Sequence, residues 1–313
     1  VRIVRVRIVF CGNPEFAIPS LNALLASRHE VAAVVTGPDK PQGRGRRLKA
    51  MPVKERAQEA GIEVLQPESL SDAGFLKGVR TLAAEALVVV AFRILPRELF
   101  ALPRYGSFNV HPSLLPKGRG PAPIRWTLMR GETETGVTII HLSEVIDGGE
   151  ILAQERTAVG TDEDFGSLHD RLAEMGARCL TDVLDRVESG SAPPPIRQDE
   201  AQVTRAPKLR NSDFRLDWTM SARDLGCRIR AFSPQPGAVT RLNGRVFKIL
   251  AADEMREKIG LACGELRKTG EDGLAVGTGD GALQLKVVQP EGKRAMSVAE
   301  FLRGRPALPE RFE

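Results

Sequence analysis

Residues 109–116 read Asn-Val-His-Pro-Ser-Leu-Leu-Pro. In an extended segment Asn109 and His111 share one side, while Val110 turns the other way toward a core. Pro112 stops the strand, which puts His111 at a strand end. Asn brings a neutral hydrogen-bond donor and His can bring a charged one. Together they could hold an oxygen as it gains negative charge. Further along comes Asp147-Gly148-Gly149. An acid followed by two glycines reads as a loop lying close to something. Asp147 could orient a histidine or accept a proton. The plain structural alternatives are a capping Asn, a core His and an Asp-Gly turn. His29, His141 and His169 have no such companions and read as structural.

Other chemistries find no support in the sequence. The first turn, Phe10-Cys11-Gly12-Asn13-Pro14-Glu15, lacks the glycine pattern of dinucleotide sites, and Pro14 stands where a pyrophosphate needs bare N–H groups. There is no P-loop, no G-x-S-x-G and no H-E-x-x-H. Cys11, Cys179, Cys227 and Cys263 are far apart, which argues against a zinc ribbon or a disulfide framework. The strongly apolar run over residues 83–94 is broken by Glu85 and Arg93 and is too short to span a bilayer. Residues 1–7 alternate Arg with β-branched residues, unlike a signal peptide. A soluble cytoplasmic protein is the expectation.

The elements that must position these residues follow from periodicity. Residues 6–11 read as a buried strand, 16–27 as a helix and 31–36 as a second strand, a βαβ unit with parallel strands. Further strands are expected at 63–65, 87–92, 107–110 and 137–142, with helices at 52–60, 122–129 and 165–188. Three prolines, Pro193 to Pro195, break the pattern. Beyond them, a helix is expected over 221–232, with Ser221 and Asp224 as a capping pair. Asn243-Gly244 marks a hairpin. A last helix should begin at Ser297, with Glu300 completing a capping box. The fold class is α/β: a Rossmann-like N-terminal domain with a mostly parallel sheet, and a small OB-like C-terminal β-barrel. The expected boundaries are 1–189, a linker over 190–210, and 211–313.

Charge adds a second theme. The 313 residues carry 45 basic and 40 acidic side chains, a net +5. Residues 1–205 balance at 26 and 26; the remainder carries 19 and 14. One dense cluster lies in the N-terminal part: Arg44, Arg46, Arg47 and Lys49, interleaved with Gly43 and Gly45. Such a loop could grip phosphates or be a solvated surface loop.

The N-x-H-x-S-L-L-P segment followed by Asp147 resembles the folate-dependent formyltransferase family. The similarity extends to Gly12-Asn13-Pro14-Glu15-Phe16-Ala17, Pro38-Asp39-Lys40-Pro41, residues 116–124, Glu134-Thr135-Gly136-Val137-Thr138 and Ile229-Arg230-Ala231-Phe232. It runs nearly the full length and is most specific in the N-terminal part. The resemblance implies that Asn109, His111 and Asp147 form a catalytic trio, with 10-formyltetrahydrofolate as formyl donor and no metal. It implies a folate site lined by Ser113, Leu114, Leu115, Pro116, Phe92 and Ile94. It points to the branch of the family whose acceptor is methionyl-initiator-tRNA, with 1–189 catalytic and 211–313 tRNA-binding. Arg44, Arg46, Arg47, Lys49 and Lys208 would touch tRNA, with Lys293 and Arg294 as weaker candidates, and a monomer is expected. Two departures stand out. Asn13 replaces the usual Thr. Ala91-Phe92-Arg93-Ile94-Leu95-Pro96 is one residue shorter than the usual A-Y-G-x-I-L-P, with Arg93 directly after the aromatic. A related enzyme acting on a small amine or nucleotide sugar, and a catalytically idle RNA-binding protein, remain alternatives.

Overall fold

The computed structural model describes residues 5–42, 47–255, 259–303 and 310–313, with the backbone path alone at 40–42 and 47–49. Arg44 and Arg46 therefore lie outside the described residues. The chain falls into two compact units. The first comprises residues up to Gly120, Glu134–Ala158 and His169–Ala206; the second comprises Pro121–Thr133, Val159–Leu168 and Pro207–Glu313.

The first unit is built on a seven-stranded sheet. Its strands are β1 (Arg7–Gly12), β2 (Glu30–Val35), β5 (Glu63–Leu65), β6 (Ala86–Val90), β7 (Ser107–His111), β8 (Glu134–His141) and β9 (Ile151–Ala158). They lie in the order β5-β2-β1-β6-β7-β8-β9. The first five are parallel, and β8 and β9 continue the sheet antiparallel. The mostly parallel sheet expected from the sequence is present. Strand order reverses between β1 and β6, and ligands of open α/β sheets bind beyond the carboxyl ends of strands at such a point. His111 is the last residue of β7, beside that point.

Every residue of β6 is buried, so both faces of the sheet must be covered. On one face Val9, Cys11, Ala33, Val35, Leu87 and Val89 pack with Leu76, Val79, Leu95 and Leu99. Leu76 and Val79 lie on helix α3 (Ala73–Thr81), and Leu99 lies on α4 (Arg97–Phe100). On the other face helix α6 (Phe165–Ser189) lies close against β7. A Cβ added at Gly176 would stand 2.6 Å from Val110 Cγ1. The helix thus presses on the strand that carries Asn109 and His111.

Three features differ from the sequence reading. Strand β9 was not expected, because most of it is half-buried and shows no clean alternation. The basic loop contains a short hairpin of β3 (Lys40–Gln42) and β4 (Arg47–Lys49). Part of the expected linker is tied to the first unit: Ile196 pairs with Ile151, and Ala206 N donates to Arg119 O at 2.7 Å.

The second unit holds a six-stranded antiparallel sheet of β10 (Ala238–Leu242), β11 (Arg245–Glu254), β12 (Leu266–Thr269), β13 (Gly273–Gly277), β14 (Ala282–Pro290) and β15 (Met296–Ser297). Asn243 and Gly244 both have positive φ, 52° and 72°, as a two-residue hairpin turn requires. Ser221 Oγ caps helix α7 (Ala222–Phe232) by accepting from Asp224 N at 3.0 Å. Ser297 and Glu300 cap α8 (Val298–Arg303) reciprocally.

Gly176→Leu gains about 1 kcal/mol of helix preference. It forces extra atoms against Val110, where overpacking costs about 1–3 kcal/mol. The expected result is a lower urea midpoint with an unchanged slope; a midpoint raised by the full helix gain would show that α6 does not press on β7.

Candidate active site

The carboxyl end of β7 and two loops bring the predicted chemistry together within the first unit. The His111 ring is buried. Its Nε2 lies 2.9 Å from the carbonyl oxygen of Gly118, and its Nδ1 lies 3.6 Å from Asp147 Oδ1. Asp147 Oδ2 accepts from Gly120 N at 2.8 Å. Both ring nitrogens thus face acceptors, and the imidazolium is the form that donates toward both. The 3.6 Å separation is an ion-pair contact, too long for a direct hydrogen bond. Asn109 is half-buried, two residues back on the same side of β7. Its amide has no hydrogen-bond partner among the described residues. In this arrangement Asn109 is the donor left for a substrate, while His111 is engaged with protein.

The 113–116 segment is fixed by the neighbouring strands. Thr138 Oγ1 donates to Ser113 O at 2.6 Å and accepts from Leu115 N at 3.2 Å. Gln154 Nε2 donates to Thr138 Oγ1 and to Leu115 O. Ser113 Oγ donates to Lys117 O at 2.6 Å. Ser113 and Leu115 are buried, whereas Leu114 and Pro116 are half-buried. Phe92 packs partly against the core, and Ile94 is 74% exposed. Arg93 turns back and donates to the carbonyls of Pro67 and Glu68. In the 91–96 segment Ala91 takes a positive φ of 47°. Asn13 Oδ1 accepts from Gly37 N at 2.7 Å and Thr36 Oγ1 at 3.1 Å, tying together the ends of β1 and β2.

Lys208, Lys293 and Arg294 are exposed, and Arg294 pairs with Glu300. Arg47 and Lys49 belong to β4, for which the backbone alone is described. His29 accepts from Val6 N, His141 packs on Phe108 and His169 stands edge-on to Phe16. Burial lowers the pKa of His29 and of His141. Cys11 is fully buried, and burial pushes its thiol far up, away from nucleophilic use.

Sequence reasoning missed the residues that brace the site. Gln198 Nε2 donates to the carbonyls of Asp147 and Gly149, each at 2.7 Å. Arg119 binds Gln198 and Glu200. These partners are far apart in the chain, and a single Gln after a proline run carries no periodic or motif signal.

The formyl transferase family matches residues 4–184, and the formyl transferase C-terminal domain matches residues 208–306. The methionyl-tRNA formyltransferase of Syntrophus aciditrophicus is 44% identical over 96% of this chain and 96% of its own. That of Myxococcus xanthus is 44% identical over 97% of each. Among solved structures, HypX from Aquifex aeolicus in complex with tetrahydrofolic acid superposes with a TM-score of 0.66 at 20% identity, covering 96% of this chain. This chain spans about half of HypX, 47%. The N-formyltransferase from Helicobacter canadensis, in complex with folinic acid and dTDP-3-aminofucose, gives 0.66 at 19% identity, covering 91% of this chain and 99% of that one. These two likenesses are of fold.

Gly149 tests how tightly the acidic loop is built. A Cβ there would stand 1.7 Å from the His141 carbonyl oxygen, so any side chain forces the backbone to move. Gly149→Ala is expected to cost about 2 kcal/mol, read as a fall of about 4–8 °C in Tm. An unchanged Tm would show that the loop shifts freely.

Proposed function

This chain belongs to the formyl transferase family, and from that premise we propose that it transfers a formyl group from 10-formyltetrahydrofolate to the amino group of methionyl-initiator-tRNA, for the start of translation. The observation that carries the reading is the unpartnered Asn109 amide beside the His111–Asp147 pair at the end of β7. Full-length relatives named methionyl-tRNA formyltransferase support this acceptor over a small amine or a sugar. No described helix is long and apolar enough to cross a membrane. We place the enzyme in the cytoplasm, acting as a monomer.

The residues present fit such a reaction. The acceptor amine is itself the nucleophile, so no serine or thiolate is required, and buried Cys11 offers none. When bound, 10-formyltetrahydrofolate supplies the formyl carbon. Asn109 donates to the formyl oxygen as it gains charge. His111 adds a second donor from Nε2 once its bond to the Gly118 carbonyl is exchanged for the substrate. Asp147 stays beside Nδ1 and takes the amine proton, directly or through water; as the bond from the formyl carbon to N10 breaks, a proton goes to N10 and tetrahydrofolate leaves. Ser113, Leu114, Leu115, Pro116, Phe92 and Ile94 line the folate site in this reading. Arg44, Arg46, Arg47, Lys49 and Lys208 contact the phosphates of tRNA, with 211–313 as the tRNA-binding domain.

The direct test is incubation with charged initiator tRNA and 10-formyltetrahydrofolate, followed by release and identification of formylmethionine. Transfer to small amines alone, or binding without turnover, would overturn the reading. Losing one oxyanion donor typically costs about 10²–10³ in kcat. Asn109→Ala is expected to show that loss with Tm nearly unchanged; His111→Ala is expected to show it in a protein that still folds, with a lower Tm because Gly118 O and Asp147 lose a buried partner. Near-normal turnover in His111→Ala would remove His111 from the site. Arg44→Ala should raise KM for tRNA and lower the steepness of its salt dependence by about one unit. An unchanged KM and slope would remove the basic loop from tRNA binding.

A further inference from the structure

We propose that Gln198, locked in place by the buried Arg119 and its partner Glu200, is the positioning residue for Asp147. The inference rests on the assignment of Asp147 to formyl transfer.

The acidic loop has little to hold it by packing. Val145 is 59% exposed and Ile146 is 53% exposed. Asp147 itself has a φ of 54°, a left-handed conformation that costs a residue with a side chain about 1–2 kcal/mol. Such a conformation persists where surrounding contacts over-determine it. Here the side chain from outside the loop that hydrogen-bonds to its backbone, among the described residues, is the Gln198 amide. Its two N–H bonds close on the carbonyls of Asp147 and Gly149, both at 2.7 Å, so they clamp the peptide that follows Asp147 and the one that follows Gly149.

The amide could face the loop either way round, and its oxygen toward two carbonyls would repel. Arg119 settles the orientation. Its Nε donates to Gln198 Oε1 at 3.0 Å, which leaves the NH₂ group for the loop. Arg119 is 3% exposed. A buried cation without a partner is costly, and Glu200 meets it with a fork-to-fork pair, Nη1 to Oε2 at 3.1 Å and Nη2 to Oε1 at 2.7 Å. The Arg119 hydrogen bond holds the Glu200 carboxyl below its usual range, so the pair is intact at neutral pH.

The same stretch of chain also holds the other half of the site. Gly118 N donates to Thr204 Oγ1 at 2.8 Å, Arg119 N donates to Thr204 O at 3.0 Å, and Ala206 N donates to Arg119 O at 2.7 Å. Gly118 supplies the carbonyl that His111 meets, and Gly120 supplies the N–H that Asp147 meets. Residues 198–206 therefore set the two loops to each other. This segment follows the proline run and read as a linker in the sequence.

Gln198→Glu isolates the effect. The new carboxylate still accepts from Arg119 but brings no N–H to the loop carbonyls. Two readouts are expected. The Gly120 amide, which reports the position of the Asp147 carboxylate, should exchange with solvent about tenfold faster, while the amides of β6 and β7 keep their rates. Activity with methionyl-tRNA should show kcat lower by about tenfold to a hundredfold with both KM values within about twofold. In an Asp147→Asn background, Gln198→Glu should cost no further kcat, because its route runs through Asp147. Unchanged Gly120 exchange, or an equal kcat loss in the Asp147→Asn background, would overturn the proposal. If the wild type does not formylate methionyl-tRNA, the functional reading fails and the Gly120 exchange still decides positioning. Should Gln198→Glu fail to fold, Glu200→Gln loosens the same clamp from the exposed side. It should speed Gly120 exchange in the same direction by about threefold, and no change there would count against the clamp.

Discussion

Asp147 Oδ1 must stand beside His111 Nδ1 in a largely buried place, and the two residues come from segments of very different stiffness. His111 ends a strand whose neighbours pair with it on both sides. Asp147 sits in an exposed loop with an unfavourable backbone angle. Taking a carboxylate and an imidazole out of water is costly unless geometry and further hydrogen bonds compensate. The first unit is arranged around meeting that condition. Gly120 N and the Gln198 clamp act on the acid side, and the Gly118 carbonyl acts on the histidine side.

The sheet explains why these contacts can be made at all. Parallel strands up to β7 deliver His111 to the carboxyl edge, where ligands of this architecture bind. The switch to antiparallel at β8 lets that strand run back beside β7, so Thr138 faces His111 in the pairing register. Thr138 then bonds both Ser113 and Leu115. One hydroxyl shapes the segment that leaves β7. Gly149 lies almost in contact with His141 at the end of β8, so β8 anchors the acidic loop too.

Much of this could be read from the sequence, and the reason is locality. Asn109 and His111 share a strand, so period-two alternation puts them on one side. Pro112 marks the strand end, and Asn243-Gly244 and Ser297 with Glu300 mark a turn and a cap by short-range chemistry. Asp147 was legible through its two following glycines and through family resemblance. Arg119, Gln198 and Thr204 were not legible. Their function comes from pairings across the chain, and a buried Arg on a glycine-flanked loop looks like any surface cation until its partners are placed. Strand β9 was hidden for a different reason: half-buried edges leave no hydrophobic period. The hairpin inside the basic loop was hidden because its three-residue strands, Lys40-Pro41-Gln42 and Arg47-Leu48-Lys49, are too short to show an alternating pattern.

The two candidate donors are held in different states, and the difference follows from what each would cost alone. Asn109 carries a neutral amide at a half-buried position, and water can satisfy it there at small cost. A buried imidazole has no such option. If charged it needs acceptors, and even when neutral it needs one polar partner. The protein therefore supplies His111 with Gly118 O and Asp147 and leaves Asn109 open. The consequence for chemistry is an order of engagement. Asn109 can meet a carbonyl oxygen without breaking any protein contact, whereas His111 must exchange one. In the proposed reaction that exchange becomes favourable as the oxygen gains charge and outbids a neutral backbone carbonyl, so the stronger donor would join when charge develops and would contribute to the transition state more than to ground-state binding.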